Sequence, residues 1–257
     1  MSIEKQRVRL SIAGTVARLR FVNPSRRNVI DRRFAEELLE AARSCSSASV
    51  AVVLITAEGE AFSVGGDIDE FVAQGDRIGA HIAELAHLFH QGVLALQQSS
   101  AAIVVALTGM AAGGGFSLVC GADLVIAARS ARLCSAYARS GLTPDGGGTW
   151  FLPRLVGRQR AFDLLAMSPM LSAEEACRIG IVSRVVDDDQ LTAVVEDCVG
   201  RLAALAPGVL AGIKRLLRED GFASLERQLE READGIAALA ASPATMALLS
   251  AFVGRRR

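Results

Sequence analysis

Two glycine-rich segments of the sequence allow the backbone to approach a ligand closely. Gly65-Gly66-Asp67 directly follows the segment Ala61-Phe62-Ser63-Val64, which is expected to be a strand and its loop. Gly113-Gly114-Gly115 follows the run AIVVALT and opens the apolar stretch FSLVCGADLVIA. Glycine has no side chain to hold a ligand away, and free amides at the start of a helix favour a developing negative charge. Each segment alone is equally typical of a turn or of tight helix–sheet packing.

These glycines do not form a nucleotide-binding motif. The sequence contains no GxxxxGK[ST], and the pattern GxGxxG that begins at Gly113 lacks its third glycine because position 118 is Leu. A phosphate-binding loop of either kind is therefore excluded.

Two polar side chains near these segments are candidates for chemistry. Asp145, within Pro144-Asp145-Gly146-Gly147, has the context of a turn residue that caps the next helix. The segment Gly115-Phe116-Ser117-Leu118 resembles the start of a nucleophile elbow, but the second glycine of GxSxG is absent. Ser117 is therefore expected to be a core or pocket-lining hydroxyl.

Histidine and cysteine give no metal or redox motif. His81, His87 and His90 fall on one expected helix, but no acidic or cysteine ligand accompanies them, which favours surface histidines over a metal site. Cys120 and Cys134 lie in apolar runs and are expected to be buried, inert thiols.

The composition is that of an ordinary globular protein. The chain has 257 residues, 51% of them hydrophobic, and 28 basic residues balance 28 acidic ones. No broad basic field is present to hold nucleic acid or an anionic membrane. The N-terminus is charged and no apolar stretch is long enough to span a bilayer, which predicts neither a signal peptide nor a membrane span. Five widely spaced cysteines without CxxC favour a reducing cytoplasm.

Strands and helices alternate through the first three quarters of the chain. Residues 6 to 22 predict a hairpin, and Asp31 is expected to cap the helix DRRFAEELLEAARS. VAVVLIT predicts a strand covered on both faces, a helix is expected from about 78 to 98, and AAIVVALT, LVIAA and RLCSA follow as strands. This order predicts a layered α/β core with crossover connections. Beyond Asp187 only amphipathic helices are expected, punctuated by Pro207 and Pro243.

Read together, these motifs resemble the crotonase (enoyl-CoA hydratase/isomerase) superfamily over nearly the whole chain. The segments that show the resemblance are AFSVGGDIDEF, GMAAGGGFSLVCGADLVIA, SAEEACRIGIVSRVV and the ending AFVGRRR. The stretch IAARSARLCSAYARSGLTPDGGGTWFLPRLVGRQRAFDLL is most similar to the branch of the epoxyphenylacetyl-CoA isomerases and enoyl-CoA isomerases.

The resemblance implies an α/β fold of the ClpP-like type, a ββα spiral core of two roughly perpendicular sheets. Residues 1–200 are then the core with the acyl-CoA site, and residues 201–257 a helical C-terminal trimerisation region. It also implies a homotrimer, or a hexamer built from two trimers.

For the site, the resemblance assigns the oxyanion hole to the backbone amides of Gly66 and Gly114. It places Val64, Gly65, Asp67 and Ile68 beside the substrate, with Asp67 holding the loop rather than acting as a base. In this branch the aspartate that matches Asp145 is the sole acid/base, so the resemblance implies that Asp145 moves a proton along the acyl chain. Apolar neighbours, expected to be Trp150, Phe116 and Leu142, would raise the pKa of Asp145 by desolvation.

Alternatives to the isomerase remain open. The two glutamates of the family's hydratases match Ser117 and Tyr137 here, so a hydratase-type lyase would need another way to manage water. Chlorobenzoyl-CoA dehalogenases place a nucleophilic aspartate at the position of Asp145, but they carry Trp where Tyr137 stands. A catalytically silent acyl-CoA-binding member is a further alternative.

Coenzyme A carries phosphates, for which the resemblance indicates local cations. Arg27 matches a phosphate-binding position, and Phe252 and Arg255 match residues that reach the coenzyme A of a neighbouring subunit in several relatives. The terminal Arg255-Arg256-Arg257 is equally typical of cations at a helix C-terminus. No metal, nicotinamide or other cofactor is expected, since coenzyme A is part of the substrate.

Overall fold

The computed structural model describes residues 6–46, 50–217 and 221–255, with the backbone alone at 221–223. Its strands are β1 Val8–Ala13, β2 Val16–Phe21, β3 Val52–Ala57, β4 Ala61–Ser63, β5 Ala102–Leu107, β6 Met110–Ala112, β7 Leu124–Ala128, β8 Arg132–Cys134, β9 Leu171–Ser172 and β10 Arg184–Val186. Its α-helices are α1 Arg32–Cys45, α2 Ile68–Ala73, α3 Ile78–Gln98, α4 Gly114–Cys120, α5 Gly148–Val156, α6 Arg158–Ala166, α7 Ala173–Arg178, α8 Leu191–Ala203, α9 Val209–Leu217, α10 Gly221–Ala240 and α11 Pro243–Gly254.

The strands form two sheets. The larger has the order β1-β2-β3-β5-β7-β10, in which only the β1–β2 hairpin is antiparallel. The smaller has the order β4-β6-β8-β9, with β4, β6 and β8 parallel. The large-sheet strands β3, β5 and β7 are followed by the small-sheet strands β4, β6 and β8 respectively, and then by a helix. This repeated ββα unit confirms the predicted α/β layers.

The central strands β3, β5 and β7 of the large sheet are mostly buried on both faces. Val53 and Ile55 belong to the main core, which includes residues of α1 and α3, whereas Val52 and Leu54 pack in a second cluster with residues of α8. Because side chains alternate along a strand, the β-branched run in β3 fills both clusters, as the sequence predicts. The expected cap of α1 is also present, since the Phe34 amide donates to the Asp31 carboxylate at 2.8 Å.

After Asp187 the described residues contain helices but no strand, as predicted. Residue 200, the expected boundary between core and C-terminal region, lies inside α8, and α10 packs along α3. The division into two regions therefore stays a prediction. Among the described residues no single helix is long and apolar enough to cross a membrane, while the bent pair 224–240 and 243–254, at 79°, meets that criterion only jointly.

Candidate active site

Three neighbouring strands of the small sheet deliver the candidate residues to one place. β4 leads into Gly65 and Gly66, β6 into Gly113 and Gly114, and β8 into the segment that contains Tyr137. These strands are adjacent and parallel, so the segments that follow them emerge at the same edge of the sheet. The topology thus brings together residues that are some fifty and seventy positions apart in sequence.

The two glycine turns touch each other closely. Gly65 has φ +81°, and a Cβ added there would lie 3.2 Å from the Gly114 amide nitrogen and 3.0 Å from the Ala112 carbonyl oxygen. A side chain at this position would therefore push the two turns apart. The Gly65 carbonyl accepts from the Ile30 amide at 2.9 Å, which fixes the turn next to Gly66.

Gly114 begins helix α4, so its amide lies in the first turn, where no intrahelical acceptor exists. A Cβ on Gly114 would lie 2.6 Å from Ile30 Cδ1, and one on Gly66 would lie 2.6 Å from the Phe71 ring. Both backbone positions are thus closely packed on the side of the missing Cβ.

A cavity of about 430 Å³ opens at this edge of the sheet. Gly66, Gly114, Tyr137 and Asp145 all line it. Its remaining walls are mainly apolar and come from α3, α10 and α11: Ile82, Leu85, Ala86, Phe89, Ile236, Leu248 and Phe252. The cavity has the apolar body and few convergent polar groups of a small-molecule site.

Asp145 is the one acidic residue among the described residues that line the cavity. Its carboxyl does not cap the following helix, because α5 begins after Gly147 without a side-chain cap. The Tyr137 hydroxyl donates to Asp145 Oδ1 at 2.5 Å, and Ser117 Oγ lies 3.2 Å from the same hydroxyl. Burial raises the pKa of Asp145 to about 6, against the opposing effect of the Tyr137 hydrogen bond. The carboxyl is thus poised to gain or lose a proton near neutral pH.

His90 was expected at the surface, but it is buried beside Asp145. Its Nε2 accepts from the Gly146 amide at 2.9 Å and lies 3.9 Å from Asp145 Oδ2. Burial lowers the pKa of His90 to about 3, so the ring is neutral and carries its proton on Nδ1. The signal for this burial was present in the sequence, since position 90 continues the apolar stripe of Ile82, Ala86 and Val93 on α3.

Glu232 of α10 is a second buried acidic residue that the sequence analysis missed. Its Oε2 accepts from the Gly147 amide at 2.7 Å, and its Oε1 accepts from the Thr149 amide at 2.9 Å and from the Thr149 hydroxyl. Burial raises the pKa of Glu232 to about 7. The residue lies on the apolar stripe of Leu225, Leu229 and Ile236, a position where a charged side chain is rarely found without a buried partner.

The remaining predicted residues divide into two groups. Those that line the cavity are Arg27, Val64, Ile68, Phe252 and Arg255. Gly65, Asp67 and Ser117 are not among the described residues that line it. Asp67 holds its loop, as expected, because Oδ1 accepts from the Glu70 amide at 3.3 Å and Oδ2 pairs with Arg26 at 2.5 Å. Ser117 is fully buried against Tyr137 rather than placed as a nucleophile.

Two of the apolar residues expected around Asp145 lie elsewhere. Trp150 and Phe116 do not line the cavity within the described chain, and Trp150 instead stacks under the Arg154 guanidinium at 3.5 Å. Leu142 does line it, as expected. Phe252 and Arg255 line the cavity of their own chain, whereas Arg256 and Arg257 lie outside the described residues.

The loop that carries Arg27 is fixed by hydrogen bonds of the neighbouring Asn28 side chain. Arg27 and Asn28 both have φ 53°, a left-handed conformation that is uncommon for residues with a side chain. The Asn28 amide compensates for this by donating to the carbonyl oxygens of Glu58 and Ala61 at 3.0 and 2.8 Å. Arg27 is thereby held exposed at the rim of the cavity.

No group of three or more potential metal ligands occurs among the described His, Cys, Asp and Glu residues. His81 contacts Glu70 at 2.9 Å, and His87 is exposed on α3. The three histidines of this helix therefore point to separate surroundings.

Comparison with known proteins gives the family. The model of the enoyl-CoA hydratase/isomerase family matches residues 11–257. The chain is 32% identical to the 1,2-epoxyphenylacetyl-CoA isomerase of Escherichia coli K12, covering 82% of this chain and 81% of that protein. It is 31% identical to 4-chlorobenzoyl coenzyme A dehalogenase-2 of Arthrobacter sp., covering 89% and 83%. The crystal structure of enoyl-CoA hydratase from Bacillus halodurans matches with a TM-score of 0.89 at 26% identity, covering 95% and 99%.

The chain belongs to the enoyl-CoA hydratase/isomerase family and has the crotonase fold. The relatives at about 30% identity include an isomerase and a dehalogenase, so family membership establishes a crotonase-type enzyme class rather than one reaction.

Proposed function

We propose that this protein isomerises an acyl-CoA thioester through an enolate, by moving a double bond or opening an epoxide or ring. The observation that carries the proposal is Asp145, the one acidic residue among the described residues lining an apolar cavity that both glycine turns also line. One carboxylate suffices to take a proton from one carbon and return it to another. Such a reaction involves no net oxidation, so we propose that no metal or redox cofactor is needed.

The amides of Gly66 and Gly114 are proposed to form the oxyanion hole. When a proton leaves the carbon next to the thioester, negative charge moves onto the carbonyl oxygen. Two aligned N–H donors stabilise that oxygen more in the transition state than in the ground state. One such donor contributes about 3 to 4 kcal/mol in a protease. The contact between the two glycine turns, and their packing against Ile30 and Phe71, supports a fixed geometry for the pair.

Asp145 is proposed to be the proton shuttle. As a carboxylate it removes the proton from the carbon that becomes nucleophilic, the electron pair moves into the enolate, and the protonated Asp145 then returns the proton two carbons away. A pKa of about 6 leaves the group mostly ionised at pH 7 but still a competent acid. Tyr137 holds Oδ1, so Oδ2 is the oxygen left for the transfer.

A hydratase would need to position and activate water, for which the family uses two carboxylates. Ser117 and Tyr137 occupy the matching positions, and the Tyr137 hydroxyl is already committed to Asp145. Burial, together with the charge of Asp145, raises the pKa of Tyr137 well above its ordinary value, so the phenol is not a base. These contacts favour isomerisation over hydration.

A dehalogenase is the second candidate, favoured by the similarity to the Arthrobacter protein. In that reaction Asp145 would attack the aromatic ring and displace the halide, and water would later hydrolyse the aryl ester and release the product. His90 lies beside Asp145 but is poorly suited to activate that water, because its Nε2 accepts from Gly146 and its pKa is about 3. Halide release from 4-chlorobenzoyl-CoA by the parent protein that is lost in Asp145→Asn would establish the dehalogenase.

For the substrate, we propose that the apolar walls hold the acyl group and that Arg27 and Arg255 at the rim bind the phosphates of coenzyme A. We also propose a homotrimer, or a hexamer of two trimers, located in the cytoplasm. The exposed apolar side chains of Val209, Ile213 and Leu217 on α9 support an assembly in which a second copy covers this helix. Neither nucleic acid nor a membrane is proposed as a partner.

Ultraviolet absorbance separates the reactions directly. A β,γ-enoyl-CoA that becomes conjugated gains enone absorbance, whereas hydration of an α,β-enoyl-CoA removes it. The isomerase proposal expects the gain with the parent protein and no loss with the conjugated ester. Loss alone would make the chain a hydratase, and tight binding with neither change would make it a non-catalytic acyl-CoA-binding protein.

A further inference from the structure

The backbone that follows Asp145 is held from three directions. The Tyr137 hydroxyl contacts Asp145 itself, His90 accepts from the Gly146 amide, and Glu232 accepts from the amides of Gly147 and Thr149. These partners come from the segment after β8, from α3 and from α10 respectively. Glu232 is the member of this set that reaches the loop from the C-terminal helices.

Glu232 replaces a missing cap of α5. Helix α5 begins at Gly148, and its N-cap is Gly147, which has no side chain to accept from the free amides of the first turn. The carboxylate of Glu232 accepts two of these amides, and its negative charge lies at the end of the helix where it is stabilised. Gln228, one turn earlier on α10, donates to the Thr149 hydroxyl at 2.6 Å and thereby supports the same contact.

The segment between this cap and the Asp145 carboxyl is short and consists of glycine. Only Gly146 and Gly147 separate Asp145 from helix α5, and they have φ +65° and +82°. Glycine in this conformation loses much conformational freedom on folding, so external contacts must hold it. Without an acceptor at position 232, the amides of Gly147 and Thr149 would be left unpaired in a buried region.

We infer that Glu232 is a positioning residue for Asp145, in that its carboxylate fixes the backbone that keeps the Asp145 carboxyl in the cavity wall opposite the glycine amides. The inference rests on the proposed function of Asp145. Glu232 itself lies behind the loop and does not line the cavity in the described chain. Its role is therefore transmitted through the amides of the loop and through its charge.

The charge gives this role a distinctive signature. The titratable groups that interact with Glu232 are Asp145 and Tyr137 on the loop side, and His90 from α3 lies beside Asp145. The pKa of Glu232, at about 7, lies above that of Asp145, at about 6, so Asp145 ionises first and its charge contributes to raising the pKa of Glu232. Ionisation of Glu232 near pH 7 then adds a second negative charge close to Asp145 and makes Asp145 a stronger base above that pH.

The test is Glu232→Gln, measured as kcat, KM and the pH profile of proton exchange at the substrate. Glutamine has the same size, but its NH2 group is a donor and faces the donors of the loop. A hydrogen bond to a charged group corresponds to about 10- to 100-fold in rate. We therefore expect kcat to fall by about that factor with KM within about twofold, the limb set by Asp145 near pH 6 to stay in place, and the ionisation near pH 7 to disappear from the profile.

Two variants complete the experiment. Glu230→Gln makes the same change at an exposed position of the same helix and is expected to leave every parameter as in the parent. Glu232→Asp keeps an ionisable group on a shorter side chain that cannot reach both amides, so kcat should fall while a second ionisation above that of Asp145 remains in the profile. Because Glu232→Asp keeps the ionised group, it preserves the test if the glutamine variant does not fold.

A kcat and a pH profile equal to those of the parent in Glu232→Gln would overturn the inference. A loss of thioester affinity and thermal stability with the ionisation near pH 7 still present would also overturn it, because that pattern describes structural damage alone. Asp145→Asn measured in parallel separates the two levels. If Asp145→Asn is inactive and Glu232→Gln is unaffected, only the inference fails; if both retain full activity, the proposed function fails.

Discussion

Replacing Tyr137 by Phe removes one hydroxyl and tests how the protein sets the basicity of Asp145. The phenol donates to Asp145 Oδ1 at 2.5 Å, and this bond opposes the rise in pKa that burial causes. A hydrogen bond to a charged group contributes about 1.5 to 3 kcal/mol, and 1.36 kcal/mol corresponds to one pH unit. Tyr137→Phe therefore moves the acidic limb of kcat upward by about 1 to 2 pH units.

The direction of this change follows from the role of Asp145 as a base. The carboxyl must be ionised to accept the first proton, so a higher pKa lowers the rate on the acidic side and leaves the alkaline side closer to the parent. The assay is the pH profile of double-bond migration followed by ultraviolet absorbance from pH 5 to 9, with Ser117→Ala as the control. Ser117→Ala keeps the Tyr137–Asp145 bond and should keep the limb in place. An unmoved limb in Tyr137→Phe, or a fall by the same factor at every pH, would refute the reasoning.

Further predictions concern stability, the oxyanion hole and assembly. Burial raises the pKa of Asp145 from 3.8 to about 6, so its contribution to stability is full below pH 4 and is lost as the pH rises through about 6. Between pH 4 and pH 8 the parent should therefore lose up to about 3 kcal/mol of unfolding free energy that Asp145→Asn does not lose. Urea denaturation of both proteins at the two pH values measures this change. Gly114→Ala places a Cβ 2.6 Å from Ile30 Cδ1 and should lower kcat by about 100-fold. The control Gly200→Ala adds a Cβ in open space on α8 and should leave kcat unchanged. Equal rates in the two variants would contradict the oxyanion role. Leu217→Glu on α9 should lower the mass found by sedimentation equilibrium, and an unchanged mass would place the subunit contact elsewhere.

The sequence predicted the local elements of this fold because their signals are local. The hairpin of β1 and β2, the capped helix α1, the doubly buried strand β3 and the span of α3 all appear as expected. Each depends on periodicity and capping within one segment. The meeting of the two glycine turns depends on the order of β4, β6 and β8 in the small sheet, which the resemblance implied but no single motif contains.

The site was predicted less completely than the fold. His90 and Glu232 contact the loop after Asp145 from positions 56 and 85 residues away, so no local pattern pairs them with it. Their places on apolar stripes of α3 and α10 were visible, but such a stripe indicates burial without naming the partner. Trp150 was expected in the cavity beside Asp145, but it does not line the cavity of the described chain and its ring stacks with Arg154, because closeness in sequence does not fix the direction of a side chain.

The central claim is that Asp145 moves the substrate proton, and deuterium exchange tests it most directly. Purified parent protein and Asp145→Asn would be incubated with β,γ- and α,β-enoyl-CoA esters in deuterated water and followed by NMR. The account predicts that the parent shifts the double bond and that the acyl chain gains deuterium. It also predicts that Asp145→Asn, which still binds the ester, does neither. Double-bond migration at the parent rate in Asp145→Asn, or addition of water that survives the substitution, would contradict it.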